Sequence, residues 1–304
     1  MYQPVRIPRI ERLSIRGLQH RITWWGEPTD TPVVLLHGFM DCGATWQFLV
    51  DCLPPSWTCV APDWRGFGDT EWASGGYWFP DYFADLEALL AALVPRSPAR
   101  VVAHSMGGNI AGMYAGVRTD RLAWLVSLDA IGLPRAQAQE APERYRRWLQ
   151  ELADPPKGTD YRSMAQLIGT LKSRNPRLTA ERAEFIARAW ASEIPTVDGG
   201  VRMRFDPRHR LVNPVLYRRD EAEACWARMV SPMLLLRAGL SEFRDRLGAD
   251  GDEKRIRGQY RDLQIVNLAH VGHSMHHEDP QTVARHIVEF DRSCRDRAGG
   301  VACN

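Results

Sequence analysis

Apolar residues in this chain come in two textures. Short, mostly aliphatic runs recur at 33–36, 101–103, 124–128, 233–236 and 263–268, each closing on polar or glycine-marked sequence. Runs without alternation predict strands buried on both faces, the pattern of a parallel sheet covered by helices. Between the early runs the spacing changes: 44–53 and 81–93 read as helices, with Phe83, Leu86, Leu89, Leu90 and Leu93 three and four apart in the second. Strand, helix, strand repeats of this kind imply right-handed crossovers. Residues 13–25 alternate loosely around Gly17 and predict an antiparallel hairpin at the sheet edge.

After Pro134 the chain turns rich in Arg, Glu and Ala, with helical spacing at 141–152, 161–173 and 180–191. Thr179 stands where an N-cap is needed for the last of these. The strand texture resumes at Ser231-Pro232. The expected organisation is an α/β core of residues 1–130 and 231–304, interrupted by a helical insertion at 131–230.

Composition narrows the partners. With 39 basic and 37 acidic side chains the net charge is only +2, and the arginines are scattered, which argues against nucleic acid. No stretch approaches the apolar length of a membrane helix, and the first residues, MYQPVRIPRIERLSIRG, build no signal-peptide run. The expectation is a cytoplasmic protein, monomer or homodimer, that handles a small molecule. Cys42, Cys52, Cys59, Cys225, Cys294 and Cys303 show no CxxC pair and read as reduced thiols.

The chemistry gathers where strands end. Residues 100–103 lead into His104-Ser105-Met106-Gly107-Gly108, and a helical pattern starts at once: a nucleophile elbow centred on Ser105. The sharp turn needs small residues two before and two after the nucleophile. Ala103 and Gly107 meet that need, although glycine is usual at the first. The bland alternative is that Ser105 merely caps a helix. The run 33–36 ends in His37-Gly38-Phe39-Met40, a turn able to aim a backbone amide at a developing oxyanion. Phe39 and Met106 are the expected donors, with His37 holding the loop. The run ending at Ala61 leads into Pro62-Asp63-Trp64-Arg65-Gly66-Phe67-Gly68, which lacks the third glycine of a dinucleotide site and the lysine of a phosphate loop.

Taken together, His-Gly after one strand, Pro-Asp-x-Arg-Gly-x-Gly after the next and Ala-His-Ser-Met-Gly-Gly after the third resemble the α/β-hydrolase superfamily, over almost the whole chain outside the insertion. The resemblance implies a mostly parallel, doubly wound sheet with the insertion as a helical cap. It also implies the triad order serine, acid, histidine. Gly272-His273 with Glu278 and Pro280 matches the family's G-H-x-x-x-x-E-x-P, making His273 the expected base, ahead of His270, His276 and His277. Glu242, in the turn after 233–236, is the first expectation for the acid; Asp129, ending the preceding strand, is its rival and Asp245 a third. The insertion segments 170–178 and 205–211 are similar to those of the serine hydrolase-like proteins.

A serine at the elbow implies hydrolysis of a carboxylic ester, thioester or lactone through an acyl-serine, with no metal and no cofactor. A metal set drawn from His270, His273, His276 and His277 is the alternative use of those histidines. Cofactor-independent dioxygenases and carbon–carbon bond hydrolases share the scaffold, as would a non-catalytic binding protein. Of the aromatics after the third strand, Trp64 and Trp78 are the expected walls of an apolar pocket, with packing as the competing use.

Overall fold

The apolar runs become five parallel strands of an eight-stranded sheet in the computed structural model, which describes residues 2–300. Numbered along the chain, its strands are β1 (Arg9–Ile15), β2 (Leu18–Trp25), β3 (Val33–Leu36), β4 (Cys59–Pro62), β5 (Ala99–His104), β6 (Leu122–Leu128), β10 (Met233–Ala238) and β11 (Leu263–Leu268). Their spatial order is β1-β2-β4-β3-β5-β6-β10-β11. Every pair from β4 to β11 is parallel, while β1 and β2 form the antiparallel edge hairpin.

Lack of alternation in the sequence reflects burial on both faces. Val34 and Leu36 pack with Leu86, Leu89 and Leu90 of α2 (Phe79–Leu93) and with Ile110 of α3 (Met106–Val117). Val33 and Leu35 pack on the other side with Leu49 and Val50 of α1 (Gln47–Val50) and Val283 and Ile287 of α11 (Pro280–Gly300). Each such fully buried side chain contributes on the order of 1.5–3 kcal/mol, so the two layers fix the sheet rigidly. The helix expected at 44–53 is shortened to a 3-10 turn at Gly43–Trp46 followed by α1, and prolines 54 and 55 follow closely.

Between β6 and β10 run α4 (Ala141–Ala153), α5 (Met164–Arg174) and α6 (Ala180–Trp190), where helical spacing predicts helices, and a fourth, α7 (Arg219–Trp226), that the spacing did not single out. Thr179 does cap α6, accepting from the Arg182 amide. The segment is not all helix. β7 (Asp160–Tyr161), β8 (Ala191–Glu193) and β9 (Val201–Met203) form a second, antiparallel sheet, with strands too short to show a period of two. After β10 come α8 (Glu242–Arg246), α9 (Glu253–Arg257) and α10 (Met275–Glu278). Cys42, Cys52, Cys59, Cys225 and Cys294 are free thiols; Cys303 lies outside the described residues. Among the described residues no helix is long and apolar enough to cross a membrane.

Candidate active site

β5 ends at His104, α3 begins at Met106, and Ser105 between them holds φ 50° and ψ −115°. That conformation costs a non-glycine residue roughly 1–3 kcal/mol and persists only where its surroundings enforce it. Here the Ser105 amide donates to Leu128 O at 3.1 Å, and its carbonyl accepts from the Asn109 amide at 3.0 Å. A Cβ on Gly107 would stand 2.5 Å from Leu36 O, so only glycine lets α3 start this close to β3.

Ser105 Oγ lies 2.9 Å from His273 Nε2, and His273 Nδ1 lies 2.7 Å from Asp129 Oδ2. A carboxylate only accepts, so Nδ1 carries the proton and Nε2 keeps the lone pair that receives the serine hydroxyl. Asp129 itself is clamped: its Oδ1 accepts from the Ala238 amide at 3.1 Å and its own amide donates to Leu236 O at 2.9 Å. This corrects the first expectation for the acid. β6 lies between β5 and β10, so its end brings Asp129 beside Ser105. Glu242 instead opens α8 with its side chain 87% exposed, facing Arg246 at 3.7 Å, and Asp245 is exposed as well. The residue that this turn does bring to the site is Phe243, whose ring sits 4.2 Å from that of His273; nothing in the sequence singled it out.

The loop after β3 passes against Ser105, for a Cβ on Gly38 would lie 3.1 Å from Ser105 Cβ. Phe39 follows directly, and Met106, as the first residue of α3, has an amide without an intrahelical acceptor. His37 is fully buried, and burial lowers its pKa, keeping it neutral. Its Nε2 accepts from the Trp64 amide at 2.9 Å, so Nδ1–H donates to Gly38 O at 2.8 Å. The Gly38 carbonyl and the Phe39 N–H are the two ends of one planar peptide, so fixing the first aims the second.

Trp64 belongs to this frame and not to a pocket wall. It is wholly buried, and its indole N–H donates to His37 O at 3.0 Å. Trp78 precedes α2 with its ring 6.5 Å from that of Trp148 on α4, away from the cavities beside Ser105. Neither tryptophan lines the cavities beside Ser105, where both were expected.

A family model described as the alpha/beta hydrolase fold matches residues 31–215, more than half of the chain. The chain belongs to the α/β-hydrolase family. It is 28% identical over 275 residues to a serine hydrolase-like protein of Danio rerio, a match spanning 88% of this chain and 83% of that one. A stretch of 176 residues, 57% of this chain and 56% of the relative, is 32% identical to lipase LipV of Mycobacterium tuberculosis (strain ATCC 25618 / H37Rv). The thioesterase domain from the curacin biosynthetic pathway superposes with a TM-score of 0.79 over 93% of this chain and 99% of that one; at 23% identity this speaks for the fold alone.

In this α/β-hydrolase Ser105, Asp129 and His273 border a small cavity of about 50 Å³ with Asn109, Ile131 and Leu247. Phe243 and His273 also wall a larger cleft of about 390 Å³ between the sheet's loops and the segment that follows β6. That cleft is lined by Phe39, Met40, Leu171, Trp190, Met203 and Leu240, with Arg174 and Arg210 among its polar groups. Of the remaining histidines after β11, His270 is on the surface, paired with Asp279 at 2.7 Å, whereas His276 and His277 are buried.

Proposed function

We propose that this α/β-hydrolase cleaves a carboxylic ester, thioester or lactone through an acyl-Ser105 intermediate. The observation that carries the reading is the relay from Ser105 Oγ to His273 Nε2 at 2.9 Å and from His273 Nδ1 to Asp129 at 2.7 Å. In the first half-reaction Ser105 Oγ attacks the carbonyl carbon while His273 takes its proton. Asp129 stabilises the imidazolium and stays ionised. The carbonyl oxygen, now an anion, is received by the amides of Phe39 and Met106. Collapse expels the alcohol, thiol or the ring's own alkoxide, which leaves with the proton from His273. Water, deprotonated by the same imidazole, then releases the acid.

Residues 131–230 act as the cap over the cleft, and its walls favour an apolar acyl or alcohol group. The similarity to lipase LipV and to a serine hydrolase-like protein supports hydrolysis as the reaction class. A second reading gains from the position of the acid: a His273–Asp129 pair also suits proton abstraction from an aromatic substrate that then meets oxygen. Ser105 separates the two, because hydrolysis needs its oxygen as nucleophile. A fluorophosphonate probe should label the wild-type protein covalently and spare Ser105→Ala, with ester turnover falling by roughly four orders of magnitude. Equal labelling of the variant, or turnover within tenfold of wild type, would remove Ser105 from the reaction.

A further inference from the structure

Behind the relay lies a buried group that it does not use: Asp41, His104, His276 and His277. His276 is wholly buried, and neither Nδ1 nor Nε2 finds a hydrogen-bond partner among the described residues. The same holds for Nε2 of His277 and Nδ1 of His104. Buried polar atoms nearly always have partners, so four orphaned ring nitrogens in one place ask for a shared ligand.

Asp41 shows where that ligand sits. Its Oδ1 is saturated, accepting from the Cys42 amide at 2.8 Å, the Thr45 hydroxyl at 2.7 Å and the Trp190 indole at 2.8 Å. Oδ2 is the oxygen turned toward the histidines. It faces Nε2 of His276 and Nε2 of His277, each at 3.7 Å. That separation is too long for a hydrogen bond. It is close to the spacing of neighbouring ligands on one tetrahedral ion, about 3.3–3.4 Å for bonds of about 2.0–2.1 Å.

We propose that Asp41, His104 and His276 bind one divalent transition-metal ion of the zinc class, with His277 beside it on the side of the cleft. One ligand atom from each of the three lies within 4.8 Å of the others. His104 Nε2–H donates to His273 O at 2.9 Å, which leaves Nδ1 as the lone pair. Donation of the second ring nitrogen to a carbonyl is the usual support of a ligating histidine, and the three donors on Asp41 Oδ1 hold the carboxylate in the same way. Two imidazoles and a carboxylate suit zinc, cobalt or nickel better than magnesium or calcium. His277 also lines the cleft, which gives the ion a way in. The site is separate from Ser105, His273 and Asp129 yet tied to them through the His273 carbonyl.

The test uses metal-stripped protein titrated with Zn²⁺ by calorimetry, and crystals soaked in Zn²⁺ and measured at the zinc absorption edge. One ion should bind to wild type, to Ser105→Ala and to His273→Ala, and about 100-fold more weakly to His276→Gln. The anomalous peak should lie between Asp41 Oδ2 and the His276 ring. Absence of binding at millimolar Zn²⁺ would overturn the proposal. So would an ion held by His273 and Ser105, or affinity that survives in His276→Gln. If that variant does not fold, the peak position in wild type decides alone.

Discussion

Replacing Asp129 by asparagine tests the acid with little change of shape. Asp129 uses both oxygens: Oδ1 accepts from the Ala238 amide and Oδ2 faces His273 Nδ1. Asparagine has one acceptor and one donor. The fixed Ala238 N–H claims the acceptor, so the NH₂ group turns to His273 and forces the proton from Nδ1 to Nε2. An Nε2–H cannot take the proton of Ser105. A wrong tautomer in an intact triad lowers kcat by about 10⁴, or about 5 kcal/mol at about 1.4 kcal/mol per decade. Glu242→Gln changes a side chain that is 87% exposed at the rim of the larger cleft, so stability should stay within about 0.5 kcal/mol of wild type and the loss in kcat should be far smaller than at Asp129. Steady-state hydrolysis of a chromogenic short-chain ester, with both variants checked for unchanged circular dichroism, gives the comparison. A larger loss at Glu242 than at Asp129, or Asp129→Asn within tenfold of wild type, would refute the assignment.

His37→Ala frees the Gly38 carbonyl and leaves the Trp64 amide without its acceptor; kcat should fall about 10- to 100-fold with KM nearly unchanged, since only the aim of one oxyanion donor is lost. A loss confined to KM would show that the His37 frame does not aim the Phe39 amide. His209, stacked between Phe67 and Tyr77, is pushed by burial down to about 3. The unfolded chain protonates it near its ordinary value of about 6.5, so its stabilisation is complete above that pH and is lost toward pH 3, by about 1.4 kcal/mol per pH unit. Tm measured from about pH 6 to about pH 4 should therefore fall less steeply in His209→Gln than in wild type; equal slopes would contradict the buried neutral state.

Sequence patterning reads well wherever one local rule decides the outcome. Val33–Leu36 and Leu263–Leu268 form strands with the predicted bounds, because an apolar run flanked by turn residues has little else to become. Ser105 and His273 each sit in a compact local motif, and the structure brings them into contact. The acid does not. Whether Asp129 or Glu242 reaches His273 depends on how β10 lies against β6 and on where the chain turns after Gly239, and neither is written in the neighbouring residues. Trp64 misled for a related reason: its size suggests a pocket wall, while its indole N–H is spent on His37 O, a partner far away in sequence. The group around Asp41 was equally hidden, since Asp41, His104 and His276 meet only when β3, β5 and α10 are packed.

The order in which the sheet takes up the members of the relay has a consequence for synthesis. Ser105 and Asp129 follow adjacent strands, β5 and β6, but Asp129 gains its two backbone partners, Leu236 O and the Ala238 amide, only when β10 is laid down. His273 arrives only after β11, the last strand at the far edge. Ser105 is therefore synthesised 168 residues before the histidine it pairs with. On the proposed mechanism, a chain that stops before β11 has the hydroxyl and lacks the imidazole, and so hydrolyses no ester.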